Sequence, residues 1–348
     1  WAYAKAGIEA PGVFKAVAVE APKKMKTFNA QALSNIVWAY ATAGVSESHF
    51  NLFKGIAAES RRRVGQFKPQ ELANMAWAFS TAGVKAPELF DVIASSSQKR
   101  IELFKPQELS NLVWAYSRAR LPAPALFKMV EPEAISKIAK FNSQDLSNTA
   151  WAFARSSFQA PRLFRAIAAE AQTKMKTFNA QALANTVWAF SMANVEAPAL
   201  FEVVAAEILN KYASFHAQDL AGTAWAYAST PGACDGVNAK VMMGVVAAEA
   251  PNHISMFRSN DLANTAWAYA TARIEAPKLF EAIEQEALRK IETFTSQELA
   301  DVGWAFSSMN IHAPKLLDAA AAGTLKRTVP AGGRLMPAKT AATRDDIS

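Results

Sequence analysis

Phe67-Lys68-Pro69-Gln70-Glu71-Leu72-Ala73-Asn74-Met75-Ala76-Trp77-Ala78-Phe79-Ser80 is a phrase that the chain repeats along its length. Its Trp-Ala-aromatic ending holds all nine tryptophans, Trp1, Trp38, Trp77, Trp114, Trp151, Trp188, Trp225, Trp267 and Trp304, at intervals of 37, 39, 37, 37, 37, 37, 42 and 37 residues. The phenylalanine ten positions upstream recurs as well, at Phe28, Phe67, Phe104, Phe141, Phe178, Phe215, Phe257 and Phe294. A single globular core has no reason to space its largest side chain so evenly. A stacked array, whose units cannot bury their apolar faces alone, does so automatically.

Each phrase reads as a helix start. Pro69 and Pro106 stand where a first helical position accepts proline, and Glu71 and Glu108 follow in the first turn. The residue after each phenylalanine then falls at the N-cap, and Phe67 and Leu72 at the two ends of a hydrophobic staple. Leu33, Val37 and Tyr40 share one face, with Ser34, Trp38 and Ala41 beside it, an apolar stripe of helical period. A break at Ala82 to Pro87 ends this helix and a second one begins, in which Phe14, Phe53, Phe90, Phe127, Phe164, Phe201 and Phe280 share one register. The expected fold is all-α: a right-handed α-solenoid of stacked antiparallel helix pairs with a repeat of about 37 residues.

The array is expected to span residues 1–322, as a partial first unit and eight units starting near the phenylalanines named above. The 42-residue interval contains Thr230-Pro231-Gly232-Ala233-Cys234-Asp235-Gly236-Val237-Asn238, read as a loop inserted between the two helices of one unit. Residues 323–348 form a basic tail, expected to be disordered or extended.

Composition removes several function classes. Of the 348 residues 51% are hydrophobic, yet no apolar run approaches the roughly 18 of a membrane span. The single cysteine, Cys234, can build neither an internal disulfide nor a cysteine-based zinc site. His49, His216, His253 and His312 occupy unrelated places in the unit, and no phosphate loop, nucleophile elbow or metalloprotease pattern occurs. No enzyme, cofactor or metal is expected. A net charge of +7 leans toward an anionic partner. The chain opens inside a motif without an initiator methionine, so a fragment is expected and a missing leader is uninformative about compartment.

The tryptophans are expected in the core, where each removes roughly 200 Å² from water, at most about 5 kcal/mol before entropy is subtracted, the alternative being an aromatic platform on which bases stack. Binding is sought in what surrounds them. Four residues before the phenylalanines stand Lys24, Arg63, Arg100, Lys137, Lys174, Lys211, His253 and Lys290, a basic ladder once the units stack. The cationic members, Lys24, Arg63, Arg100, Lys137, Lys174, Lys211 and Lys290, are candidates for a polyanion backbone. Seven of the eight rungs also have a glutamate four residues upstream, so helix-surface ion pairing explains them too. The residue after each phenylalanine varies: Asn29, Lys68, Lys105, Asn142, Asn179, His216, Arg258 and Thr295. Capping accounts for Asn and Thr, but not for Lys, Arg or His. A position that changes from unit to unit and can hydrogen-bond is what a one-base-per-repeat reader needs. Gln31 and Asn35, with Asn74, Asn111, Asn148, Asn185 and Asn264, barely vary and are expected to bond between repeats or to touch a generic feature such as phosphate.

The segments Phe67 to Ser80 and Phe104 to Ser117 resemble the octotricopeptide repeat, whose members share a Pro-Gln-x-Leu-Ala-Asn-x-x-Trp-Ala core, and are similar to heptatricopeptide arrays. Gly222 and Asp301 depart from the motif asparagine, and no segment like the RAP domain follows. The resemblance implies a helical-repeat protein binding single-stranded RNA in transcript maturation, stability or translation. It further implies an organelle, the chloroplast before the mitochondrion, and partners among organellar RNA-processing or translation proteins. The rival is a scaffold for an extended protein partner, since solenoid grooves serve both purposes.

Overall fold

A computed structural model describes residues 1–46, 49–156 and 158–326. The chain forms two compact units, residues 1–174 and Met175 onward. Both are α-solenoids, and no strand occurs among the described residues.

In the first unit the phenylalanine-to-tryptophan segments form the helices Ala30–Thr42, Pro69–Thr81, Pro106–Ala119 and Ser143–Ser156. The second helices are Pro11–Glu20, Phe50–Arg62, Pro87–Gln98, Pro124–Lys137 and Pro161–Lys174. First helices pack on first helices of the neighbouring repeats, and second helices on second, giving two layers. Short 3-10 turns such as Val64–Gln66 and Ile101–Leu103 lead from one repeat to the next. The second unit continues the pattern with first helices Ala180–Met192, Ala217–Ser229, Ser259–Thr271 and Ser296–Ser308. Its second helices are Pro198–Lys211, Val237–Glu249, Pro277–Arg289 and Pro314–Lys326. The last of these runs past the expected end of the array at residue 322, and the rest of the expected tail, 327–348, lies outside the described residues.

The staple leucines Leu33, Leu72, Leu109 and Leu146 are buried, as are Phe67, Phe104 and Phe141 before them. The alanine after each tryptophan from Trp38 onward is buried too, and having only a Cβ it lets adjacent first helices approach closely. In most repeats the aromatic two residues beyond the tryptophan meets the second-helix phenylalanine of the preceding repeat edge-on. Centroids lie 4.9 Å apart for Phe14 and Tyr40, 5.2 Å for Phe53 and Phe79, and 4.9 Å for both Phe90 with Tyr116 and Phe127 with Phe153. Such edge contacts favour the ring quadrupoles and fix how far one repeat can slide on the next.

Where this aromatic is tyrosine, its hydroxyl donates to a backbone carbonyl 26 residues upstream, Tyr227 to Phe201 O at 2.6 Å and Tyr269 to Met243 O at 2.6 Å, with Tyr40 and Tyr116 doing the same toward Phe14 O and Phe90 O. Burial pushes the Tyr40 phenol up to about 12 and that of Tyr116 well above the ordinary tyrosine range. Tyr116→Phe keeps the ring and removes this bond, and is expected to lower stability by about 1 kcal/mol in urea unfolding followed by circular dichroism. An unchanged midpoint would assign the bond no net worth.

First helices end in a left-handed residue six positions after tryptophan, glycine at Gly44 (φ 68°) and Gly83 (φ 67°). The same position is Asn194 (φ 54°), Asn310 (φ 54°), Arg120 (φ 56°) and Arg273 (φ 53°) elsewhere. Glycine and asparagine tolerate this conformation, whereas for other residues it costs roughly 1 kcal/mol or more. The inserted segment is a turn over Pro231 to Gly236, and the Glu202 carboxylate accepts from Asn238 N at 3.0 Å, capping the helix that follows.

Candidate nucleic-acid interface

The helical period places the phrase's glutamine, asparagine and tryptophan at i, i+4 and i+7, on one face of each first helix. In the third full repeat of the first unit's layer these are Gln107, Asn111 and Trp114. Glutamines Gln31, Gln70, Gln107, Gln144, Gln181 and Gln218 are exposed, and Asn35, Asn74, Asn111, Asn148 and Asn185 half-buried. The sequence reading favoured bonds from these asparagines to neighbouring repeats. The structure instead leaves all five side chains without a hydrogen bond to any described residue, the only bonded member of the row being Asn264, which donates to Asn260 at 3.1 Å. An asparagine amide offers two donors and two acceptor lone pairs, so Asn35, Asn74, Asn111 and Asn148 form a line of unspent polar groups within the first unit.

The tryptophans line the same face, and their expected place in the core holds for Trp225 and Trp267 only. Trp225 and Trp267 are 3% and 8% exposed, but Trp1 and Trp304 are 54% and 41% exposed, and the indoles between Trp1 and Trp225 are half-buried. They form ladders. Successive ring centroids lie 6.3, 6.2, 6.5 and 6.2 Å apart from Trp1 through Trp38, Trp77 and Trp114 to Trp151, and 6.4 Å apart from Trp225 to Trp267 and from Trp267 to Trp304. The repeat spacing brings first helices close enough for each indole to cover part of the next, which leaves the indoles from Trp38 to Trp188 partly open to solvent and seals Trp225 and Trp267. Three cations ride on the ladder from one turn further along the helix: Lys5 over Trp1 at 4.7 Å, Arg118 over Trp114 at 5.4 Å and Arg155 over Trp151 at 4.9 Å. Arg118 and Arg155 were not singled out in the sequence, although their place at i+11 in the line of glutamine, asparagine and tryptophan marks them.

The basic ladder divides. Lys137 Nζ donates to Glu102 O at 2.7 Å and Phe104 O at 2.7 Å, at the turn that joins its unit to the preceding one, and pairs with Glu133 at 2.6 Å. Lys174 repeats this with Ala139 O, Phe141 O and Glu170, Lys211 with Lys176 O, Phe178 O and Glu207, and Lys290 with Ser255 O, Phe257 O and Glu286. Three acceptors engage all three ammonium donors. These lysines bolt one repeat to the next, and the geometry leaves them no donor for a phosphate. Arg63 lies 2.9 Å from Glu59, and Arg100 donates to Ser96 Oγ at 2.7 Å, while Lys24 is exposed on its turn.

The variable position divides too. Asn29, Asn142 and Asn179 accept from the backbone three residues on, each at 2.8 Å, and Thr295 does so at 3.2 Å. Lys68, Lys105, His216 and Arg258 do not cap. There the third helical residue accepts from the N-cap backbone instead, Glu71 from Lys68 N at 2.8 Å and Glu108 from Lys105 N at 2.8 Å, and likewise Asp219 and Asp261. Arg258 forks onto Asp261 at 3.1 and 3.3 Å, and these bonds raise its guanidinium pKa further. Lys68 and Lys105 stay exposed. Within the first unit a groove of about 410 Å³ is lined by Trp1, Trp38, Asn74, Lys105, Asn111 and Lys140, with Gln70 and Gln107 at its wall.

No group of three or more metal-ligating side chains occurs among the described residues, and none of the described helices is long and apolar enough to cross a membrane. Burial pushes the Cys234 thiol up to about 11, so little of it is thiolate near neutral pH.

Repeated helix pairs that present amides, indoles and unpaired cations along one face define a helical-repeat binding protein. Residues 2–229 match the family model of the RNA-editing substrate-binding complex 6 protein, well over half of the chain. The chain belongs to that family. Comparison with curated proteins returns no match.

Proposed function

We propose that the chain binds single-stranded RNA along its first-helix face, acting by binding and not by catalysis, as a substrate-holding part of an RNA-editing assembly. The observation that carries this reading is the row of half-buried asparagine amides with no partner among the described residues. None of these amide atoms is sealed from water, so both donors and both acceptor lone pairs of each are open to an incoming ligand. The partly exposed indoles beside the amides offer π surface to bases, and single-stranded RNA is the nucleic acid whose bases are open to stacking and edge recognition. The family name, which speaks of RNA-editing substrates, supports the same reading. So does the Pro-Gln-x-Leu-Ala-Asn-x-x-Trp-Ala core by which the units resemble the octotricopeptide repeat.

Base selectivity falls to the position after each phenylalanine: Asn29, Lys68, Lys105, Asn142, Asn179, His216, Arg258 and Thr295. The capping asparagines spend their oxygen and keep their two Nδ2 donors. Phosphate contact falls to cations with unspent donors, Lys24, Lys68 and Lys105, in place of the bolting lysines. Protein partners are the other members of the assembly, and the compartment is an organelle, with no preference from the family match for the chloroplast over the mitochondrion.

The test is fluorescence anisotropy of a labelled single-stranded RNA titrated with the chain over a range of salt. Affinity is expected to fall steeply as salt rises, and Lys68→Ala/Lys105→Ala to weaken binding about 5- to 20-fold while making the log–log salt slope shallower by about 1 to 2. No binding at low salt would overturn the reading.

A further inference from the structure

A cluster of cations without ion pairs lies at the end of the amide and indole line in the first unit. Arg118 and Arg155 are equivalent residues of consecutive first helices, each stacked on its own tryptophan, and those tryptophans, Trp114 and Trp151, are themselves 6.2 Å apart. Two guanidiniums carried on adjacent rungs of one ladder are held side by side. Arg120 joins them from the residue that ends the helix Pro106–Ala119. None of the three forms an ion pair with a described carboxylate.

Like charges do not gather without compensation. The ends of two helices supply part of it, because a cation there meets the negative pole of the peptide dipoles. That accounts for Arg118 and Arg155. It leaves Arg120 unexplained. Arg120 holds φ 56° and ψ 37°, a left-handed conformation that the equivalent residues Gly44 and Gly83 adopt without strain. Glycine would serve the turn better. Arg273 carries the same strain in the second unit (φ 53°), so what sets Arg120 apart is its charge acting on Arg155 beside Arg118, at a position where sibling repeats keep glycine.

We propose that Arg118, Arg120 and Arg155 form a clamp for one phosphate group of the bound RNA, anchoring the strand at the end of the line formed by Gln107, Asn111 and Trp114 and by Gln144, Asn148 and Trp151. Planar guanidiniums present paired donors that match phosphate oxygens, and stacking on indole orients them without using those donors. The mutual crowding shows in the Arg155 guanidinium, whose pKa is lowered by burial and then by Arg120 and Arg118. An arriving dianion or phosphodiester relieves that repulsion. This proposal deepens the RNA reading and rests on it for the source of the phosphate.

The discriminating variant is Arg120→Gly, which installs the residue that sibling repeats carry. A residue serving only the fold would gain from this change. The clamp predicts a thermal midpoint equal to or above wild type together with RNA affinity reduced about 3- to 10-fold and a salt slope shallower by about 1. Arg118→Gln/Arg155→Gln is expected to lose at least tenfold. In a second arm, inorganic pyrophosphate is titrated by calorimetry into the wild type, Arg120→Gly and Lys68→Ala/Lys105→Ala. Binding by the wild type and by the lysine variant, and its loss in Arg120→Gly, is the expected pattern. Pyrophosphate binding by a wild type that binds no RNA would keep the anion site and discard the RNA reading. RNA binding with wild-type affinity and slope in both arginine variants would overturn the clamp and leave the RNA reading standing. A 5′-phosphorylated and a 5′-hydroxyl RNA, compared on the wild type, tell a terminal phosphate from an internal one: a preference for the first, abolished by Arg120→Gly, assigns the end, and equal affinities assign the chain interior.

Discussion

Asn74→Ala/Asn111→Ala/Asn148→Ala is expected to bind single-stranded RNA roughly 10- to 1,000-fold more weakly than the wild type while unfolding at nearly the same temperature. The magnitude follows from about 0.5 to 1.5 kcal/mol for each of three lost hydrogen bonds, which sum to about 1.5 to 4.5 kcal/mol of binding free energy. The small effect on stability follows from the structure, in which these side chains bond to no described residue. Alanine also has the higher helix propensity, so the isolated array could gain slightly. Anisotropy and thermal circular dichroism on the same samples decide it. A variant that loses stability in step with affinity would mean that the amides hold repeats together, as the sequence had suggested.

The second large effect is expected at a bolting lysine. Lys137→Met keeps the aliphatic stem and removes the ammonium, leaving Glu102 O, Phe104 O and the Glu133 carboxylate without their shared donor. Breaking a fully buried pair costs about 3 to 5 kcal/mol. The Lys137 and Glu133 side chains are 23% and 21% exposed, so solvent screens part of that loss and about 2 kcal/mol is expected. In a solenoid each repeat touches only its neighbours, so the change weakens one junction locally and should broaden the urea transition as well as shift it. RNA affinity at temperatures below the transition is expected to stay near wild type. A tenfold loss of RNA binding without loss of stability would make Lys137 a phosphate contact after all.

These two expectations reverse the roles that the sequence gave weight to, and the reason lies in particular contacts. The helix pairs, the staple of Phe104 and Leu109, and the aromatic at Tyr116 were all legible, because each depends on spacing within about forty residues of one chain and on apolar periodicity. The 3-10 turns that aim Lys137 at the carbonyls of Glu102 and Phe104 were not. Spacing showed a glutamate four residues upstream of Lys137, which is a local pairing, but the two carbonyls lie 33 and 35 residues away in the turn that opens the unit, and no side chain in the sequence announces them. The asparagines failed in the opposite direction. Near invariance from unit to unit suggested a structural bond, and an equally invariant demand from a ligand's backbone produces the same pattern.

Burial was the other hidden quantity. Periodicity assigns Trp114 to the edge of the apolar stripe, and the choice between sealed and open depends on how far apart first helices stand. Indoles about 6 Å apart cover one another only in part. Arg118 and Arg155 acquire meaning from the same spacing, since they are 37 residues apart in the chain and neighbours only once the ladder is built.

The sequence by itself determined the architecture, because a recurring phrase with a helix start, a wide apolar stripe and a proline-marked second helix has one economical packing, the stack. Which polar side chains serve the stack and which remain for a partner was decided by the tertiary structure alone. Hydrogen-bond donors are finite, and only the packed junction shows that Lys137 has used all of its own while Asn111 has used none.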